Sequence, residues 1–273
     1  MTDRARTNRN KPQGAATPGV ELTPFTAAGL VVALVGFRLL NRARRAIRAR
    51  RPDSARSAER TRPAATDLRE HAWKWAIPVC LLALLAAEGR SLAWIGWRIE
   101  SPAVALQQVG VGVAVLVGLN VLSAPVWARV GDRGDSLAAG LGAFAALSVP
   151  ERLFVAVTAG ATEEAAFHGY AIERLLALTG SAPLAGGVGF AAFAVGHLGD
   201  TWDRHAVARI AQPALVTTLL YLQFRSLPVL IAIHALHDAV ALLLADRFAS
   251  RSGDGDSGTD EEASAAVRWL DGE

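Results

Sequence analysis

The chain has 273 residues, of which 52% are hydrophobic and 19% charged, whereas an ordinary soluble domain carries about a quarter charged residues. Its charges crowd into residues 1–21, 42–74 and 246–273 and leave long, nearly charge-free stretches between, which argues against a soluble globular protein and for one built for a bilayer. The single cysteine, Cys80, lies in an apolar run, so a disulfide framework and a cysteine metal site are both excluded.

Residues 1–21 are polar, rich in Arg, Asn, Thr and Pro, and read as a disordered tail with no signal peptide. A first membrane helix is predicted over 22–41, with Arg38 near its end and placed to snorkel. The segment 42–72 is a basic linker carrying Arg42, Arg44, Arg45, Arg48, Arg50, Arg51, Arg56, Arg60 and Arg62. Beside a hydrophobic span, such a run reads as a cytoplasmic anchor against anionic lipid and not as a nucleic-acid site. A second span covers 73–88, where Trp73, Trp75, Trp94 and Trp97 suit an interfacial aromatic belt and Glu88 and Arg90 mark the end.

The third span, 103–127, is rich in Val, Gly and Leu. Residues 135–148 are apolar but short, a half-length or re-entrant helix. A long helix follows over 150–178, then spans at 182–199, 206–224 and 227–247, and an acidic tail at 248–273 that reads as disordered. The expected fold class is all-α, a multi-pass transmembrane bundle of about six to eight membrane helices in the cell membrane, with the linker 42–72 cytoplasmic.

An ionisable group in the middle of a membrane helix costs roughly 2.5–3.5 kcal/mol on insertion scales, so it survives where it faces protein or a wet cavity. Three helices carry such groups: Glu163, Glu164 and His168 on one, His197 on the next, and His234, His237 and Asp238 on the last. Glu164 and His168 are four apart and share a face, as do His234 and Asp238. Glu163 is turned about 100° from Glu164, toward a different part of the same cavity, and Phe193 lies one turn before His197. His237 is offset from Asp238 and belongs further out. Singly, each group has an ordinary explanation, such as a solvated helix face or a core histidine; their conjunction on three apolar helices argues for chemistry. His71 and His205 lie in expected loops and take no role.

These residues resemble the CPBP family of intramembrane proteases, which includes the type II CAAX prenyl endopeptidases and bacteriocin-processing or immunity proteins. The family pattern is Glu-Glu-x-x-x-Arg, then Phe-x-x-x-His, then His-x-x-x-Asn or Asp. This chain offers Glu163-Glu164-Ala165-Ala166-Phe167-His168, then Phe193-Ala194-Val195-Gly196-His197, then His234-Ala235-Leu236-His237-Asp238. The likeness covers about residues 75–247, and 73–247 is the expected protease core. Two positions depart from the commoner pattern. His168 stands where the family has arginine, replacing a permanent cation by a titratable one, and Asp238 stands where asparagine is commoner.

The resemblance implies an endopeptidase that hydrolyses a peptide bond of a membrane-associated protein or peptide. Glu163 with His197 would activate water, Glu164 would be held by residue 168, and His234 and Asp238 would face the scissile carbonyl. An ionised Asp238 cannot donate to an oxyanion, so it is expected to orient His234 or to bind a metal. A Zn²⁺ ion on His197, His234 and Glu164 and a metal-free glutamate–histidine mechanism both stay open. Two other readings use the same residues: a catalytically silent scaffold or immunity-type relative, favoured by His168, and a proton-coupled transporter.

Overall fold

In the computed structural model the chain is described over residues 22–50, 67–130, 136–198, 204–247 and Ala249. The two expected tails, most of the basic linker and the connections at 131–135 and 199–203 lie outside the described residues. All regular structure among the described residues is helical, in agreement with the all-α reading. The helices are α1 (Pro24–Ala49), α2 (Leu68–Ala72), α3 (Ala76–Ala87), α4 (Pro102–Val130), α5 (Ser136–Ala143), α6 (Val149–Glu163), α7 (Glu173–Thr179), α8 (Ala182–His197), α9 (Arg204–Phe224) and α10 (Leu227–Leu243). Short 3₁₀ turns occupy Trp73–Trp75, Leu92–Ile95 and Phe144–Ala146, and a π-helix occupies Glu164–Ile172.

Local chemistry sets several of these boundaries. Pro102, Pro150, Pro183 and Pro228 each sit in the first turn of a helix, where a missing N–H leaves no bond unmade. Glu151 reaches back to accept from the Ser148 N–H at 2.8 Å and its hydroxyl at 2.6 Å, which caps α6. Gly180, at φ +65°, closes α7 by donating to Leu176 O at 2.8 Å.

Two expected boundaries move. α1 continues to Ala49, so Arg42, Arg44 and Arg45 of the basic segment are helical; Arg, Ala and Leu are strong helix formers and no proline interrupts them before Pro52. The expected helix 150–178 runs unbroken from Val149 to Thr179 but changes register in its middle third, where the π-helix lies. α5 has eight residues, about 12 Å, too short to cross a bilayer.

The distribution of polarity is inverted relative to a soluble protein. Arg152, Glu163, Glu164, His168, Glu173 and Arg174 are buried, whereas Leu106, Val121 and Leu122 on α4 are 75%, 67% and 78% exposed. Two helical stretches, Pro24–Ile47 and Pro102–Trp127, are long and apolar enough to cross a membrane. The apolar helices α8 and α10 are shorter, so the expected six to eight crossings do not follow from helix length alone.

The π-helix packs against α1, α6, α8 and α10 and so lies at the centre of the bundle. α1 crosses it at Gly29, where a Cβ would lie 1.9 Å from Tyr170 Oη. α6 and α10 meet at Gly160, where a Cβ would stand 2.9 Å from Ala235 N and 3.1 Å from Ile231 O. α8 meets the π-helix at Gly189, where a Cβ would stand 3.1 Å from Phe167 O, so the approaches at Gly160 and Gly189 bring the three motif-bearing segments together. At one end of the bundle, Glu88 accepts from Thr23 at 2.9 Å and also from Thr26 and Arg174. At the other, Arg152 donates to Leu147 O, Ala145 O and Asp246 at 2.9 Å.

Candidate active site

The π-helix begins at the second of the paired glutamates. Its i→i+5 hydrogen bonds widen the turn, and such segments occur mostly as local insertions at functional sites. Glu163 ends the α-helical part and Glu164 opens the π part, so the adjacent carboxylates leave the helix in different directions. Both are buried, Glu164 completely.

Glu164 is held from two sides. Its Oε2 lies 2.5 Å from His168 Nδ1, and its Oε1 lies 2.5 Å from His234 Nδ1 on α10. His168 Nε2 is 3.0 Å from Thr218 Oγ1, and that hydroxyl gives its own hydrogen to Ala214 O. His168 thus sets one ring nitrogen beside the Glu164 carboxylate and the other beside the Thr218 hydroxyl.

The polar chain continues along α10. His234 Nε2 lies 3.3 Å from Asp238 Oδ2, and Asp238 Oδ1 lies 3.2 Å from His237 Nδ1. Asn120 of α4 donates its amide to His237 Nε2 at 2.8 Å. An amide N–H can only donate, so His237 carries its hydrogen on Nδ1 and donates to Asp238. Asp238 is thus an acceptor on both oxygens.

Glu163 faces elsewhere. Its Oε1 accepts from Lys74 Nζ at 2.7 Å, and its Oε2 stands 3.7 Å from His197 Nε2. His197 donates through Nδ1 to Phe193 O at 2.8 Å, which leaves Nε2 as the nitrogen turned toward Glu163. The Phe193 ring lies 4.5 Å from that of His197, 6.4 Å from that of His234 and 6.5 Å from that of His168, and forms an apolar wall common to the three imidazoles.

Glu163, Glu164, His197, His234 and Asp238 are therefore gathered in one region, with His168 and Phe193 beside them. His71, expected in a loop, lies in α2 with its ring 6.0 Å from that of Phe144. Three participants had no place in the sequence reading. Lys74 was hidden between Trp73 and Trp75, where a lysine looks like part of an interfacial belt. Thr218 is one of two adjacent threonines in an apolar helix and carries no signal of its own. Asn120 had one: it is a polar residue deep in the α4 span, and such residues seek a partner.

A metal ion would need lone pairs from several groups directed at one point. The candidates Glu164 and His234 are instead paired with each other, Glu164 also with His168 and His234 also with Asp238. Among the described residues no group of three or more His, Cys, Asp or Glu is arranged to hold an ion. Glu164, His197 and His234 in this arrangement do not fit a metal centre.

Residues 145–240 match the family model described as Rce1-like, type II CAAX prenyl endopeptidase Rce1-like. The matched segment contains all the motif residues and leaves Lys74 and Asn120 outside it. No curated protein and no solved structure matches the chain.

Proposed function

Because residues 145–240 match the family model described as type II CAAX prenyl endopeptidase Rce1-like, we propose that the chain is an intramembrane endopeptidase acting on a membrane-associated protein or peptide. The observation that carries this reading is the 3.7 Å gap between Glu163 Oε2 and His197 Nε2. Two acceptors at that separation suit one water that donates a hydrogen to each. Its oxygen lone pair then points away from both and toward a bound carbonyl.

In the proposed reaction, the water oxygen bonds to the carbonyl carbon and a proton passes to Glu163. The carbonyl π pair moves onto oxygen, giving a tetrahedral oxyanion. Collapse breaks the C–N bond, the nitrogen leaves with the electron pair, and Glu163 returns the proton to it, directly or through His197 Nε2. The products are a carboxylic acid and an amine, which share out the remaining proton as carboxylate and ammonium. No step uses a metal. Glu164, locked between His168 and His234, is assigned to holding the bundle's polar centre together and His234 in place.

The same reading places the chain in the cell membrane as a multi-pass bundle, with 73–247 as the protease core and the basic segment 42–72 in the cytoplasm. Its support is the inverted polarity: exposed leucines and valines on α4 and buried ion pairs inside. The site then lies toward the cytoplasmic end, near α2, the C-terminus of α8 and the second half of α10. No nucleic-acid partner is assigned.

The test compares membrane-fraction proteomes of cells making the wild-type chain and Glu163→Ala. A protein fragment present only with the wild type is expected and names the substrate. Identical proteomes, with both chains equally abundant, would turn the assignment to a catalytically silent relative.

A further inference from the structure

Peptide hydrolysis puts a negative charge on the former carbonyl oxygen, and that charge needs a donor already in place. The motif residues have none to spare. Asp238, at the position where the resemblance puts asparagine more often, accepts on both oxygens, from His237 and His234. His234 has one ring nitrogen on Glu164 and the other on Asp238. His168 is divided between Glu164 and Thr218, and His237 between Asp238 and Asn120. His197 gives its Nδ1 hydrogen to Phe193 O and turns Nε2 to the water position.

Lys74 differs from all of these. An ammonium has three hydrogens and no acceptor, and one hydrogen suffices for Glu163 Oε1 at 2.7 Å. Its side chain is 30% exposed and, among the described residues, its ammonium hydrogen-bonds to Glu163, which leaves two hydrogens uncommitted. The turn that carries it is anchored, because the neighbouring Trp75 Nε1 donates to Thr158 Oγ1 at 3.2 Å. A carbonyl carbon under attack by water at Glu163 sits about 3–3.5 Å from that water. Its oxygen is then within reach of an ammonium fixed to the same carboxylate.

We propose that Lys74 is a catalytic residue of this chain and supplies the oxyanion donor, in place of the side-chain donor that Asp238 cannot be. The assignment rests on the hydrolytic reading above. The oxyanion gains a hydrogen bond and a positive neighbour as the C–O bond forms. It loses the charge again when the carbonyl reforms and the C–N bond breaks, so Lys74 gives up no proton over the cycle.

The experiment uses the full chain in vesicles and a fluorogenic peptide spanning the cleavage site that the membrane-proteome comparison names. Wild type, Glu163→Gln, Lys74→Met, Lys74→Gln and Lys74→Arg are compared. Lys74→Met is expected to lower kcat by about 10²–10³-fold with KM changed less than about threefold. Lys74→Arg, which keeps a charged donor, should recover activity to within about tenfold of wild type, with Lys74→Gln between the two. A phosphinate isostere of the same peptide mimics the tetrahedral anion. Its affinity should fall with Lys74→Met by a factor similar to the loss in kcat/KM. Affinity for the uncleaved peptide, measured with Glu163→Gln in both backgrounds, should stay within about twofold. That difference separates a donor to the oxyanion from a side chain that merely props Glu163, since a prop would not bind the phosphinate selectively. Full activity in Lys74→Met, or equal losses for peptide and phosphinate, overturns the assignment while leaving the hydrolytic reading intact. A wild type that leaves the peptide uncut, or cuts it no faster than Glu163→Gln, overturns that reading and the assignment with it. Lys74→Gln, which keeps a polar N–H donor, decides the matter should Lys74→Met unfold.

Discussion

Glu164 Oε1 and His234 Nδ1 stand 2.5 Å apart although 70 residues separate them in the chain. The contact joins the π-helical turn to α10 and closes a line of side chains that runs from buried Thr218 through His168, Glu164, His234, Asp238 and His237 to exposed Asn120. Glu163, one residue away, stands apart from this line and meets Lys74 and His197 instead. The two glutamates therefore have separable roles.

That separation is measurable as stability against activity. Glu164→Ala strands His168 and His234, and breaking a buried pair of this kind costs about 3–5 kcal/mol. Glu163→Gln keeps the shape and still accepts from Lys74, whose side chain is 30% exposed, so it should cost clearly less stability than Glu164→Ala while turnover is lost. Denaturant unfolding in detergent and peptide cleavage are the two measurements. A Glu164→Ala protein as stable as wild type would sink the distinction.

Gly160 controls the distance between α6 and α10. The atoms that a Cβ would meet are Ala235 N and Ile231 O, which are backbone and cannot turn aside. Gly160→Ala should destabilise by about 1–3 kcal/mol and Gly160→Val by more. Moving α6 from α10 also lengthens the Glu164–His234 contact, so activity should fall with stability. The same substitution at Gly118, where a Cβ meets nothing within 4 Å, is the control and should change neither.

His168 is completely buried, with the Tyr221 ring 5.8 Å from its own. His168→Arg restores the resemblance's residue but adds length in a filled space, at a cost of about 1–3 kcal/mol. Trimming the facing hydroxyl in His168→Arg/Thr218→Ala should regain part of that stability, and the double variant should cleave. His168→Ala leaves Glu164 Oε2 without a neighbour and should be the least stable of the three. Thermal unfolding of the set orders them; an Ala variant more stable than the Arg variant would show that Glu164 needs no partner at position 168.

The orientation of the bundle is open to cysteine labelling. Cys80 is the sole cysteine and is exposed on α3, beside the exposed Val79 and Leu82. An aqueous maleimide does not reach a thiol that faces lipid, so Cys80 should be labelled only after denaturation. In a Cys80→Ser background, Ser91→Cys lies past the end of α3, opposite the basic segment, and should react with an impermeant maleimide on intact cells. Reaction only after lysis would reverse the orientation.

Some of this protein is determined by the order of its residues alone. The crowding of charge outside the apolar stretches dictates helices, because a chain that must satisfy its backbone hydrogen bonds without water has few other forms. Four-residue spacing brings Glu164 to His168 and His234 to Asp238, since helical neighbours are a local property. The run of Arg, Ala and Leu through residue 49 belongs to the first helix on propensity.

Tertiary packing decided the rest. Nothing in the local preferences of Glu164–Ile172 distinguishes an i→i+5 turn from an i→i+4 turn; the π register goes with the packing of α1, α6, α8 and α10 around it. Which carboxylate meets which histidine depends on how closely α6 approaches α10 at Gly160, and a difference of one methyl group is felt there. Lys74 shows the limit most clearly. Between two tryptophans at the start of an apolar span, its local chemistry suits a headgroup as well as a buried carboxylate. Only the placement of the Trp73–Trp75 turn over the end of α6 puts its ammonium on Glu163, because the energy of a charge is set by what surrounds it in space and not by its neighbours in sequence.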